Sequence, residues 1–174
     1  MEKLFLIGML LICSLTFGQD FKIGKESDLA REELIDEGID SQGFIYDKDD
    51  NVVLRFETNR YYRIYLTISE KKDIVYKSEI VIEFDTWEEL FTKYKTLKSE
   101  FTNSFGKPTK ISEKFSGKYK LGDGNELEAL ENGFCIYITH FKDKDKTLYE
   151  ISINKDSEYD EARILITAIN EKYR

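Results

Sequence analysis

The chain predicts an α+β protein, an antiparallel sheet covered by amphipathic helices within one domain. Three observations carry that expectation. A long segment repeats its apolar residues at helical spacing, several short segments alternate apolar and polar residues as half-buried strands do, and no Pro-, Gly- or Ser-rich linker interrupts residues 19–174. The 174 residues carry 26 Lys+Arg against 34 Asp+Glu, a net charge of -8, with 41% apolar residues and a single proline. Twelve Phe and 11 Tyr supply enough apolar surface to exclude intrinsic disorder. The lack of a basic surplus argues against a nucleic-acid partner, whose phosphates need neutralising.

Residues 1–18 differ from the rest. A polar start with one basic side chain, Lys3, precedes an apolar run over residues 4–17. That run is shorter than the roughly 20 residues a membrane helix requires and has the length of a signal-peptide core. Thr16 and Gly18 stand at the -3 and -1 positions of a cut before Gln19. The expectation is an exported, periplasmic or secreted protein with no transmembrane anchor after cleavage. Ile12 before Cys13 is a poor lipidation context, so a lipid anchor is not favoured. Removing Glu2 and Lys3 with the leader leaves 26 − 1 basic and 34 − 1 acidic residues, still -8, over 174 − 18 = 156 residues. A domain of that size buries about 68–70% of its unfolded surface, enough for a core without staples. Cys135 is then the remaining cysteine, so no disulfide forms within the mature chain.

The strongest element is a helix over residues 87–105. Thr86, three residues before Glu89, starts a capping box, and Trp87, Leu90, Phe91, Tyr94, Leu97, Phe101 and Phe105 form one apolar stripe. Gly106 and Pro108 end it. A second helix is expected over residues 28–37, with Ser27 as N-cap, Gly38 as terminator and a thin face of Leu29, Ala30, Leu34 and Ile35. Strands are expected over 43–47 and 52–57 around a polar turn at 48–51, then over 61–68 and 74–84. After the long helix come 109–115, 126–131, 134–141 and 147–153, with turns at 122–125 and 143–146. The tail, 162–170, fits a helix about as well as a strand; its Ile-Leu-Ile-Thr run favours a strand. The order is that of two α-β-β-β-β units.

The segment Trp87-x2-Leu90-x3-Tyr94-x2-Leu97-Lys98, closing with Phe105-Gly106-Lys107-Pro108, resembles a recurrent stretch in small secreted proteins of Bacteroidota, in which such a helix ends in a Tyr-Gly-Lys-Pro turn. Glu113-Lys114-Phe115, Ala129-Leu130 and Ile151-Ser152-Ile153 extend the likeness over residues 43–170, and the leader ending Phe17-Gly18-Gln19 fits that phylum. Phe105 in place of Tyr is the departure. The repeated helix-plus-four-strand order is also similar to the β-lactamase-inhibitor-protein-like fold. Neither likeness brings an activity or site residues with it.

Catalytic and metal chemistry find little to work with. The sole histidine, His140, and Cys135 lie five apart on one expected strand and so point to opposite faces, which rules out a Cys–His pair within it. Cys135 sits between apolar neighbours, where a thiol is usually inert. Asp47-x-Asp49-x-Asn51 imitates the start of a calcium loop, but Val52 and Thr58 occupy the positions that need Gly and Glu, so a polar turn is expected. No metal and no cofactor are expected; one His and one Cys do not make a zinc site, and no Gly-rich phosphate loop occurs.

Tyr61, Arg63 and Tyr65 share one face of their strand, opposite Tyr62, Ile64 and Leu66, beside Arg55 and Lys77. Tyr and Arg favour protein interfaces. The expected function is therefore non-catalytic binding of another macromolecule, a protein or glycan of the cell envelope, through Tyr61, Arg63, Tyr65 and Arg55. Two rivals stand beside it: a glycan hydrolase using paired carboxylates, and a carrier of apolar cargo under the helix of residues 87–105. For the latter, simple core filling by the aromatic stripe is the preferred explanation.

Overall fold

Thr86 sets the start of the longest helix by accepting the Glu89 backbone N–H on its hydroxyl, at 3.3 Å. From that cap, helix α2 (Trp87–Phe105) runs until Gly106, whose φ of 84° breaks it. The computed structural model describes residues 21–59, 61–155 and 162–174; the expected leader and its cleavage site lie outside them. Before α2 come α1 (Ser27–Asp36), β1 (Asp40–Tyr46), β2 (Val52–Asn59), β3 (Tyr62–Ser69) and β4 (Ile74–Phe84). After it come β5 (Lys110–Phe115), α3 (Glu126–Glu131), β6 (Cys135–Lys142), β7 (Leu148–Lys155), β8 (Ala162–Ile169) and a 3-10 turn at Glu171–Tyr173. Among the described residues, no helix is long and apolar enough to cross a membrane.

All eight described strands join one antiparallel sheet in the order β1-β2-β3-β4-β8-β7-β6-β5. Each half of the chain is a helix followed by a four-strand meander. The two halves meet where their last strands pair, from Lys77 opposite Ile169 to Phe84 opposite Ala162. The α+β class and the two helix-plus-four-strand units are thus present, with α3 as an addition between β5 and β6.

That addition corrects the strand expected over 126–131. Glu-Leu-Glu-Ala-Leu-Glu alternates on paper, yet all three residue types are good helix formers. The turn after it decides the matter. Gly133 at φ 71° donates to the Leu130 carbonyl at 3.0 Å and Phe134 donates to the Ala129 carbonyl at 2.7 Å, the paired closing bonds of a Schellman cap. Ala129 and Leu130 are buried against the core. Helix α1 ends in the same way, with Gly38 donating to Ile35 and Ile39 to Leu34, both at 2.9 Å.

Ser27 is not the cap of α1. Glu26 occupies that place without a side-chain bond, and the Ser27 hydroxyl donates instead to Asp73 at 2.6 Å, tying the helix to the turn before β4. The apolar face of α1 is also thinner than expected. Ala30 and Leu34 are buried, whereas Leu29 and Ile35 are 49% and 46% exposed.

The tail is a strand. In β8, Ala162, Ile164, Ile166 and Ala168 are buried while the residues between them are half-buried. It lies at the centre of the sheet with a partner on each side, and those two ladders satisfy its backbone where a helix would have left β4 and β7 unpaired.

Both long helices pack on one face of the sheet. Leu90, Tyr94, Leu97 and Phe101 of α2 are buried against β6, β7 and β8. Phe101 is the hub, in ring contact with Phe21, Phe105, Phe141 and Tyr149. Each such fully buried side chain contributes roughly 1.5–3 kcal/mol. The aromatic stripe of α2 therefore packs into the core.

Candidate functional site

The opposite face of the sheet has no described helix on it. Strand alternation places residues on it one by one: because Leu54, Phe56, Ile64 and Leu66 face the helices, Arg55, Glu57, Arg63 and Tyr65 face away. The ladders then align them in rows. Arg55 stands opposite Tyr65, and Tyr65 opposite Glu79. Next to this row, Glu57 stands opposite Arg63, and Arg63 opposite Val81.

Carboxylates hold the basic side chains in place. Arg55 Nη2 donates to Glu57 Oε2 at 3.0 Å, Arg63 Nη2 donates to Glu83 Oε1, and Lys77 Nζ lies 2.9 Å from Glu79 Oε2. The Nε atoms of Arg55 and Arg63 are buried with no hydrogen-bond partner among the described residues. Each guanidinium is thus oriented by a neighbouring carboxylate, with its Nε enclosed by the protein.

Of the four residues expected to form the binding strip, the fold brings three together. Arg55, Arg63 and Tyr65 share the uncovered face on β2 and β3. Tyr61 lies one residue before β3, in a turn, where its phenol contacts the Asp85 carboxylate at 3.2 and 3.3 Å. Its carbonyl accepts the Glu83 N–H at 2.9 Å. Tyr61 therefore belongs to the corner where β3 and β4 meet.

Sequence reasoning missed Glu57, Glu79 and Glu83 as partners, although Arg55/Glu57 and Lys77/Glu79 stand two apart, the spacing that puts both on one face of a strand. It also missed a basic end of the face. Among β5–β8, Lys110, Lys114, Lys142 and Arg163 point to the uncovered side against Glu150, opposite in sign to the chain's net -8. The alternation of Lys110, Ser112 and Lys114 was the available signal.

His140 belongs to this face too, with Nδ1 3.5 Å from Glu150 Oε2. Cys135 lies on the helix-covered face, half-buried, its thiol pushed up to about 11 by burial. The two residues do face opposite ways. Asp47 is committed to its own turn: Oδ1 accepts the N–H groups of Asp49 at 2.8 Å and Asn51 at 3.0 Å, and the Asn51 amide bonds both carboxylate oxygens. These bonds, led by the Asn51 side chain, hold the Asp47 carboxyl below its ordinary range. Among the described residues, no group of three or more His, Cys, Asp or Glu is placed to hold a metal ion.

Fold and site together define a class: a half-covered antiparallel α+β domain whose second sheet face bears oriented arginines and a tyrosine. Comparison of the chain with protein-family models, with curated proteins and with solved structures finds no match.

Proposed function

We propose that the protein is an exported, non-catalytic binding protein of the cell envelope, and that it holds a protein partner on the uncovered sheet face around Arg55, Arg63 and Tyr65. The observation that carries this reading is the pairing of Arg55 with Glu57 and Arg63 with Glu83 on a face that no described helix covers. Side chains already held in one conformation lose less entropy on binding, and arginine and tyrosine are the residue types on which interface energy concentrates. The basic end at Lys110, Lys114 and Lys142 favours a partner with an acidic patch, and this end would speed encounter more than it adds affinity.

Export rests on the apolar run of residues 4–17 and the small residues at 16 and 18. The likeness to small secreted proteins of Bacteroidota supports the same compartment, and the order of two helix-plus-four-strand halves is in keeping with the β-lactamase-inhibitor-protein-like fold.

The test is affinity capture from the envelope fraction with in-cell cross-linking, comparing the natural chain with Arg55→Ala/Tyr65→Ala. Both positions are partly exposed, so the variant is expected to melt near the natural chain and to lose the captured protein. Equal capture by both would reject the site. Capture of glycan in place of protein would reject the partner class.

A further inference from the structure

Among the described residues the sheet ends at two edges, β1 and β5, and they are built differently. Strand β5, Lys-Ile-Ser-Glu-Lys-Phe, carries three charged side chains in six residues. Charges of this kind keep an edge from accepting another strand. Strand β1, Asp-Ser-Gln-Gly-Phe-Ile-Tyr, has no charge after its first residue. Its last three side chains are apolar and open: Phe44 is 60% exposed, Ile45 37% and Tyr46 72%.

The backbone of β1 says which groups are available. The hairpin to β2 closes with the Asp47 N–H on the Asn51 carbonyl at 3.1 Å. Directly opposed residues in an antiparallel ladder alternate between hydrogen-bonded and non-hydrogen-bonded pairs. Counting back from Asp47, Ile45 directs its N–H and C=O groups to Val53 on β2; at Gly43, φ 89°, a bulge interrupts the ladder and the Gly43 N–H donates to Ser41 Oγ at 3.4 Å. Phe44 and Tyr46, opposite Leu54 and Val52, direct theirs outward. The two residues that offer free backbone groups are therefore the two with the most exposed aromatic side chains.

We infer that β1 is a self-association edge, on which β1 of a second copy of this chain pairs antiparallel. A twofold axis at Ile45 sets Phe44 opposite Tyr46 of the second copy twice, as hydrogen-bonded pairs, and sets Ile45 opposite itself between them. Phe44 and Tyr46 lie on the helix side and Ile45 on the other, so an added strand must be apolar on both of its faces. The chain's own β1 meets that requirement. Over residues 43–47 the pairing brings no like charges together, with Asp47 opposite Gly43 of the second copy. In a chain of net charge -8, self-repulsion leaves an uncharged edge as the favoured meeting place. The contact is isologous and closes at two copies. It joins the uncovered faces side by side, with Arg55 one strand in from the junction, and it holds whether or not that face binds a partner.

Sedimentation velocity on the purified protein, from micromolar to submillimolar concentration, tests the inference. Twice the monomer mass is expected at the upper end. Phe44→Lys/Tyr46→Lys, both at open positions, is expected to weaken association by at least about tenfold, while Ile111→Ser in β5, a charge-neutral change at a side chain 50% exposed, leaves it unchanged. A monomer at every concentration, or association that survives the β1 double substitution, would overturn it. Should the β1 variant lose its fold, hydrogen exchange in the natural chain decides. Amides of Phe44 and Tyr46 that slow with rising concentration support the pairing, and concentration-independent exchange refutes it.

Discussion

The Tyr94 phenol and the Thr139 hydroxyl lie 2.8 Å apart in the buried seam between α2 and β6. Both side chains are almost wholly inaccessible. The bond is what lets a helix stripe of aromatic residues contain a tyrosine at its centre, because a buried hydroxyl without a partner is costly.

Tyr94→Phe removes one hydroxyl and leaves that of Thr139 unsatisfied. The expected loss is about 1–3 kcal/mol, measured by urea unfolding. Tyr94→Phe combined with Thr139→Val should recover part of it, since both polar groups are then gone.

The same burial makes the fold sensitive to alkali. The Tyr94 phenol is pushed up to about 12 by burial, against an ordinary value of about 10. Burial also raises Tyr137 and Tyr149. Between the two values the folded state keeps protons that the unfolded state has released, so stability falls as pH rises. This contribution is complete below about pH 10 and drains away above it. Urea midpoints measured from pH 9 to about 11.5 should fall progressively. For Tyr94→Phe the fall should be shallower. An identical slope in both chains would remove Tyr94 as a source of the effect.

Gly133 is expected to resist substitution for a conformational reason alone. Its φ is 71°, and a Cβ added there would meet nothing within 4 Å. Gly133→Ala should therefore cost about 1–2 kcal/mol, the penalty of the left-handed conformation for a residue with a Cβ. Gly133→Asn should cost less. Thermal unfolding would rank the three chains, and a neutral Gly133→Ala would show that the cap of α3 does not need that conformation.

Cys135 should be a slow nucleophile. Burial pushes its thiol up to about 11 from an ordinary 9, so the thiolate fraction at pH 8 is about 100-fold below that of a free thiol. Alkylation by iodoacetamide should be correspondingly slow in the folded protein and should accelerate on adding denaturant. A native-state rate equal to that of a small thiol would contradict this burial.

The elements with a strong local code were legible in the chain. Helix α2 had its cap at Thr86, its stripe and its stop at Gly106, and it formed where those signals lie. The strands around the Asp47 turn, and β3 and β4, were legible because alternating residues mark a sheet with one buried face. Glu126–Glu131 was not, because six residues are too few to separate a period of two from one of 3.6; the Gly133 cap settles that. Ser27 misled for a related reason. A hydroxyl at a helix start reads as a cap, and only the approach of Asp73, distant in sequence, shows where it bonds.

By itself, then, the sequence determined which residues of a long helix or an alternating strand share a face, because side-chain direction follows from backbone period. It put Arg63 and Tyr65 on one strand face beside Arg55, together with Tyr61, which the fold places in the turn before β3. Only the tertiary structure decided that β4 and β8 pair, that both helices cover the same face, and that β1 and β5 are the edges. Those outcomes depend on contacts between residues far apart in the chain, whose energies no local pattern records. The face that no described helix covers and the β1 edge, the two surfaces that matter most here, exist only through that choice of partners.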